Sequence, residues 1–372
     1  MKMIITGDLV VTGSYDPQLS IDTDLIKLFS TSDYNIVNLE APITQSENKI
    51  IKTGPHIKAN SESTIGVFTC LNINIAALAN NHIKDYDEEG VLDTLDFCHK
   101  NSIETVGAGR NIVDASLTHF INTDQGTVAI INIAENEWAS ADSNSAGANG
   151  MDLVKDIRKI QKAKKESDYV FVIVHGGHEY YNLPSPRMQE QYRFYAEQGA
   201  DLVVGHHTHC VSGYEVYQGV PIYYSLGNFL FTMDSAKQDW YTGVILEIEL
   251  HNNRLKTKLH PVAQGKDNFS LTLLTGNRKA EVLKQVSELS AIIQSKILLA
   301  KHWNTYIELK KSVYLNHWSP KVFIKNRYFL LALNKLKMNF TNTKGLAYFS
   351  NLMRCEAHHD LSKAVLKERL KK

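Results

Sequence analysis

The 372-residue sequence has no run approaching the roughly 18 uninterrupted apolar residues of a membrane-spanning helix. Its start, Met1-Lys2-Met3-Ile4-Ile5-Thr6-Gly7-Asp8, offers only a short apolar stretch before a carboxylate, so no signal peptide is readable. Cysteine is scarce: Cys70, Cys98, Cys210 and Cys355 form no Cys-x-x-Cys pair and no dense framework. That argues for reduced thiols rather than a disulfide scaffold, and no cysteine is read as lying at a zinc-ligand spacing. Together these absences lead to the expectation of a cytoplasmic protein. Net charge is also missing, since 40 Lys+Arg balance 40 Asp+Glu, so global charge identifies no polyanionic partner. There is no GxxxxGK[ST] run, and Gly107-Ala108-Gly109 is too short and wrongly placed for a dinucleotide fingerprint. No internal repeat, low-complexity segment or nucleic-acid-binding motif is present.

What is there is ordinary globular composition, 43% apolar and 22% charged. The charge is unevenly distributed. Residues 271–372 carry 19 Lys+Arg against 6 Asp+Glu, leaving 21 against 34 in the preceding part. An acidic body at 1–270 therefore carries a basic extension at 271–372.

Short Val/Ile-rich runs alternate with helical stretches over the first 260 or so residues. Strands are expected at Met3–Ile5, Ile36–Asn38, Ile75–Leu78, Val128–Ile133, Val170–Val174, Leu202–Val204 and Ile222–Ser225, near-continuous as in strands covered on both faces. Helices are expected at Glu88–Lys100, Asp152–Lys165 and Pro186–Gln198, the last closed by Gly199. Tyr241–His251 and Arg254–Val262 read as a hairpin around Asn252-Asn253. The alternation implies a layered α/β domain. After about residue 275 only helical patterns follow, Lys279–Lys311 and Val322–Phe340, separated by Pro320.

Nearly every expected strand ends in a potential metal ligand. The first runs into Asp8, the second into Glu40, the third into Asn80-Asn81-His82, the fifth into His175 and the sixth into Gly205-His206-His207-Thr208-His209. In open α/β sheets function gathers at the carboxyl ends of strands. A mixed set of imidazole, carboxylate and amide oxygen suits one or two borderline divalent ions such as Mn²⁺, Fe²⁺ or Zn²⁺. Alternation along an extended segment would put His207 and His209 on one face and His206 on the other, as packing or support.

At these residues the sequence resembles the bacterial capsule synthesis protein CapA family, associated with poly-γ-glutamate production and related to the calcineurin-like metallophosphoesterases. The motifs are Gly7-Asp8, Asn38-Leu39-Glu40, Ala79-Asn80-Asn81-His82 with Asp85, His175-Gly176-Gly177 with Glu179-Tyr180, His207-Thr208-His209, and Tyr224-Ser225-Leu226-Gly227-Asn228-Phe229. They span roughly residues 1–265. The resemblance implies a four-layer α/β/β/α metallophosphoesterase-like sandwich with a helical C-terminal extension. It assigns Asp8, Glu40, Asn81, His175, His207 and His209 to metal and His82 to general acid catalysis, with Asp85 tuning it. Val10 stands where phosphoesterases have His, Glu40 where they have a bridging Asp, and Asp87 where the family usually has Gly.

His178 and Glu179, in the loop after His175, are candidates for substrate contact or support, as are Arg110, Asn228 and His206. The implied substrate is an anionic or phosphorylated small molecule or polymer, cleaved at a phosphoester. A non-hydrolytic component that binds an anionic polymer is the alternative, and a metal-dependent amidase on γ-glutamyl chains a second. Capsule-synthesis proteins are the expected partners, not nucleic acid. Lys325, Arg327, Lys335 and Lys337, interleaved with Phe323, Tyr328, Phe329, Leu330 and Leu333, read as a lid on the acidic body, a partner-binding arm or a peripheral membrane contact.

Overall fold

The structure, a computed structural model, describes residues 1–252, 254–316, 326–336 and 342–370. Among these residues the first strands are β1 (Lys2–Val10), β2 (Tyr34–Leu39), β3 (Ile75–Ala77), β4 (Glu104–Val106), β5 (Ala108–Gly109), β6 (His119–Thr123), β7 (Gly126–Ala134) and β8 (Gly147–Ala148). Then come β9 (Tyr169–His175), β10 (Leu202–His206), β11 (Tyr214–Tyr217), β12 (Val220–Tyr223) and β13 (Asn228–Phe231). The last are β14 (Thr242–His251), β15 (Arg254–Gln264) and β16 (Leu271–Leu273).

One sheet runs β16-β15-β14-β1-β2-β3-β4, with β13 paired to β1 off that path. The other runs β11-β12-β10-β9-β7-β6, and β5 and β8 form a separate pair. Side chains alternate across a strand. Met3 and Ile5 of β1 accordingly pack with Phe171, Ile173, Leu202 and Val204 of the second sheet. Ile4 faces the other way, into a cluster with Phe29, Val67 and Val91 from helices Thr23–Ser30, Ser61–Cys70 and Asp87–Lys100. On the far side of the second sheet, Val170, Val172 and Val174 pack with Ile160, Tyr192 and Ile293 from helices Leu153–Glu166, Pro186–Glu197 and Gly276–Gln294. The result is an α/β sandwich. Full burial of each such side chain favours folding by about 1.5–3 kcal/mol. A one-residue slip would turn these faces inside out, so the register is firmly set.

The helix ends follow their sequence signals. Asp152 accepts from the Lys155 N–H at 3.1 Å, and Ser185 from the Met188 N–H at 3.1 Å with Pro186 behind it. Gly199 closes the second of these helices at φ +118°. Beyond residue 275, Ser295 divides the expected Lys279–Lys311 stretch into helices Gly276–Gln294 and Lys296–Asn316. Within the Val322–Phe340 stretch, Arg327–Lys335 is helical with Tyr328 and Phe329 exposed. Phe323, Lys325 and Lys337 lie outside the described residues, as do Pro320 and Asn253.

One strand departs from expectation in a way that positions the site. β1 continues to Val10, so Asp8 lies within it rather than after it. Its first half pairs with β14, at Lys2 to Ile5, and its second half pairs with β13, at Asp8↔Asn228, Leu9↔Leu230 and Val10↔Phe231. Gly7 marks the change of partner. The Asp8 N–H donates to the Gly227 carbonyl at 3.1 Å, and a Cβ on Gly7 would fall 1.9 Å from that same oxygen. Gly7→Ala is therefore expected to destabilise the fold by about 1–3 kcal/mol through overpacking, read as a lowered midpoint in thermal denaturation. An unchanged midpoint would contradict this close approach.

Candidate metal centre

Both sheets deliver polar side chains to one edge of the sandwich. Asp8 lies in β1, Glu40 directly follows β2, and Asn81 and His82 sit in the turn beyond β3. From the second sheet, His175 ends β9, and His207 and His209 follow β10. Register aligns them: Asn38 pairs with Asp8 across β2/β1, and His206 pairs with His175 across β10/β9. All six residues expected to hold metal are buried.

Their atoms converge. His175 Nε2 lies 3.0 Å from Asn81 Oδ1, 3.1 Å from His207 Nδ1 and 3.3 Å from Glu40 Oε1. One ring nitrogen carries either a proton or a lone pair, so it cannot satisfy three such neighbours. Donors held about 2.1 Å from a common ion, in contrast, stand roughly 3–3.4 Å apart. On the other side of Glu40, His209 Nδ1 lies 3.4 Å from Asp8 Oδ2 and its Nε2 3.9 Å from Glu40 Oε1. Two groups thus have ligand atoms within 4.8 Å of one another, Glu40-His175-His207 and Asp8-Glu40-His209, and they share Glu40.

Glu40 carries the test of fit. Its carboxylate is fully buried, and neither oxygen has a hydrogen-bond partner among the described residues. Burial, together with the charge of Asp8, pushes its carboxyl well above the ordinary range. Burial also acts to raise Asp8, but the hydrogen bond and charge of His209, with the charge of His206, outweigh it and hold that carboxyl low. Burial would lower His209, yet Glu40 and Asp8 raise it to about 10. Burial, with the charges of four other imidazoles (His207, His206, His209 and His82), drops His175 well below the usual histidine value. The centre is short of positive charge around two carboxylates, and it presents neutral imidazole to the same space. Borderline divalent ions match that donor set.

The supporting contacts fix ring orientations. Asn38 Nδ2 donates to Asp8 Oδ1 at 2.7 Å and lies 3.2 Å from His175 Nδ1. Asn228 Oδ1 lies 3.0 Å from His209 Nδ1, while its Nδ2 donates to the Trp240 carbonyl. An Nδ1–H held by Asn228 Oδ1 leaves His209 Nε2 to face a metal. His206 points elsewhere, its Nε2 2.8 Å from the Thr6 carbonyl, a tie between the two sheets. The backbone beyond β10 is not extended, since His207 and His209 have φ of +87° and +55°, so simple alternation does not govern where these side chains point. Two left-handed non-glycine residues in one turn are costly, and they bring both rings to the site.

His82 and Asp85 form a linked pair beside the centre. His82 Nδ1 lies 2.7 Å from Asp85 Oδ2, which also accepts from the Ile57 N–H at 2.8 Å. Lys52 Nζ bonds to Asp85 Oδ1 and stands 3.1 Å from His82 Nδ1. Burial would raise Asp85, but His82 and Lys52 outweigh it and keep the carboxyl low. Asp87 sits at φ +58°, a conformation in which glycine is least strained.

Of the remaining candidates, His178 is buried with its Nε2 unpartnered among the described residues, its ring facing Trp303 at 5.2 Å and Tyr306 at 5.5 Å. Glu179 is exposed. Arg110 is exposed beyond β5 and, among the described residues, makes no hydrogen bond or ion pair with the centre. The sequence reading missed Lys52, which carries no local signal, and Glu137, which does. Glu137 follows β7 as the other ligands follow their strands; its Oε1 lies 3.6 Å from His207 Nε2, and its Oε2 accepts from Asn81 Nδ2 at 3.4 Å.

Residues 2–233 match the family described as Bacterial capsule synthesis protein PGA_cap. The chain belongs to this bacterial capsule synthesis family. It is 36% identical over 219 residues to the PGA biosynthesis protein CapA of Bacillus subtilis (strain 168), covering 56% of this chain and 57% of that protein. It is 35% identical over 224 residues to the capsule biosynthesis protein CapA of Bacillus anthracis, covering 55% and 53%. A probable polyglutamine synthesis accessory protein of Mycobacterium tuberculosis (strain CDC 1551 / Oshkosh) is 24% identical over 212 residues, covering 54% and 56%. The region matched to the CapA relatives is about half their length, and the six candidate metal-holding side chains lie within residues 2–233 of the family match. Among the described residues no helix is long and apolar enough to cross a membrane.

Replacing Glu40 separates the two roles of its charge. With chelator present, Glu40→Gln is expected to melt no lower than the wild type, because it removes an uncompensated buried carboxylate. Added Mn²⁺ or Zn²⁺ at about a hundred times its Kd should stabilise the wild type by ~2.7 kcal/mol and the variant by much less. Equal stabilisation of both in thermal melts would count against a metal held by Glu40.

Proposed function

We propose that this capsule-family chain is a metal-dependent hydrolase of the phosphoesterase type, built on the four-layer α/β/β/α arrangement of the calcineurin-like enzymes and acting in capsule or poly-γ-glutamate biosynthesis. The observation that carries the reading is the buried carboxylate of Glu40, which has no hydrogen-bond donor among the described residues and is shared by two candidate ligand groups. The layering is supported by three apolar clusters, one between the sheets and one on each outer face.

Asp8, Glu40, Asn81, His175, His207 and His209 would hold one or two divalent ions. When bound, such ions supply Lewis acidity, polarising a phosphoryl oxygen and acidifying water. The chain's own residues supply the rest. Asp85 takes the hydrogen bond of His82 Nδ1, which leaves Nε2 to hold a proton for a departing oxygen. Lys52 pairs with Asp85 and sets a cation beside that buried carboxylate. Asn38 and Asn228 keep the His175 and His209 rings turned toward the carboxylates.

Val10 motivates a second reading. It is buried and paired with Phe231, where phosphoesterases place a ligating imidazole. With one nitrogen fewer, the centre would bind an anionic polymer without cleaving it. Elemental analysis combined with turnover of p-nitrophenyl phosphate, bis-p-nitrophenyl phosphate and an alkyl phosphoester distinguishes the two. The hydrolase reading expects metal-dependent turnover that His207→Ala abolishes. It further expects His82→Gln to lower kcat for the alkyl ester by about 10²–10⁴-fold. The loss should be smaller for the nitrophenyl esters, whose leaving oxygen needs little help from a proton, and metal content should be unchanged. Bound metal without turnover would support the binding reading. Release of γ-glutamyl fragments from an oligomer would point instead to an amidase.

A further inference from the structure

A second group of ligating atoms lies next to the centre and draws on a part of the chain beyond the family match. Glu137, Cys355 and His358 bring a carboxylate oxygen, a thiol and an imidazole nitrogen within 4.8 Å of one another. We propose that these three side chains form a separate metal site for a thiophilic divalent ion of the zinc class, which fastens the C-terminal helices beside the capsule-family centre.

The local sequence allows it. Cys355 and His358 are three residues apart at the start of helix Glu356–Leu370, a spacing that puts both on one side of a helical turn. No Cys-x-x-Cys pair exists, but a Cys-x-x-His pair does, so the absence of a zinc-ligand spacing expected from the sequence is corrected here. Cys355 Sγ lies 3.8 Å from Glu137 Oε1 and 3.9 Å from Glu135 Oε2, and His358 Nε2 lies 4.0 Å from Glu137 Oε1. Cys355 is fully buried and Glu137 nearly so.

The surroundings hold the ligands in place. Tyr314 Oη lies 2.6 Å from His358 Nδ1, an outer contact that turns Nε2 toward Glu137 as metal-binding imidazoles require. Glu356 clasps the same loop, accepting from Asn136 N at 2.8 Å and Asn136 Nδ2 at 2.7 Å. Arg187 donates to Glu135 Oε1 at 2.7 Å and also pairs with Asp360. Glu135 thus has its own cation, whereas Glu137 faces a thiol, the imidazoles of His207 and His358, and the Asn81 amide. Thiolate, imidazole and carboxylate with a fourth position left to water is a zinc-type donor set. On binding, the Cys355 thiol gives its proton to solvent as the sulfur–metal bond forms.

The capsule-family centre contains no thiol, so cobalt reports on the two sites separately. Co²⁺ added to the chelator-treated full chain should produce the near-ultraviolet thiolate-to-cobalt charge-transfer band. That band should be lost in Cys355→Ser, a near-isosteric change, while circular dichroism and the visible bands of the neighbouring centre remain. Tyr314→Phe should weaken its cobalt titration about 10–100-fold. A folded wild type without the band would overturn the proposal, and so would a band that persists in Cys355→Ser. Loss of the visible bands alone would instead fault the neighbouring centre.

Discussion

A carboxylate taken out of water with nothing to donate to it costs several kcal/mol, and the structure around Glu40 is organised about that cost. The side chain directly follows β2, inside the sandwich, where both sheets end. Neither oxygen accepts a hydrogen bond among the described residues, while Asp8, only one strand away, adds a second negative charge. The neighbours that approach it are imidazoles, His175 at 3.3 Å and His209 at 3.9 Å. Without a metal, His209 is the group held charged, up to about 10, and its proton meets only part of the demand. A divalent ion held at this carboxylate would meet the rest.

The fold supplies this arrangement by rigid means. β1 changes partner from β14 to β13 at Gly7, which sets Asp8 beside both Asn38 and Asn228. The left-handed turn at His207 and His209 is strained, and the strain is sustained because β10 is buried on both faces between β9 and β12. Side chains remote in sequence are therefore held before any ligand arrives, the condition for a site that pays little reorganisation on binding. The C-terminal helices extend the same edge: Tyr181 stacks on Tyr306 at 4.0 Å, beside His178 and Trp303.

Much of this was legible from the residues. Buried strands such as Tyr169–His175 read directly as continuous apolar runs, and the helix starts expected at Asp152 and Pro186 fall within a residue of those observed. The strand-end rule led to the segments that converge, and the family resemblance singled out the six side chains within them. Other features had no local signal. β4 and β13 are short and are completed by strands distant in sequence, β3 and β1, while β6 and β11 are sheet-edge strands of mixed pattern. Lys52 enters the site from a loop and is explained only by Asp85. The alternation used for His206 to His209 assumed an extended chain, which the positive φ angles exclude. Glu137 was accessible to the same rule that found His175, and Cys355 and His358 acquire meaning only once the C-terminal helices are seen against it.

Anomalous diffraction from crystals grown with Mn²⁺, recorded near the manganese edge, tests the central claim most directly. The account predicts anomalous density in contact with the Glu40 carboxylate, bounded on one side by His175 and His207 and on the other by Asp8 and His209. Manganese density elsewhere in the crystal, with none against Glu40, would contradict it.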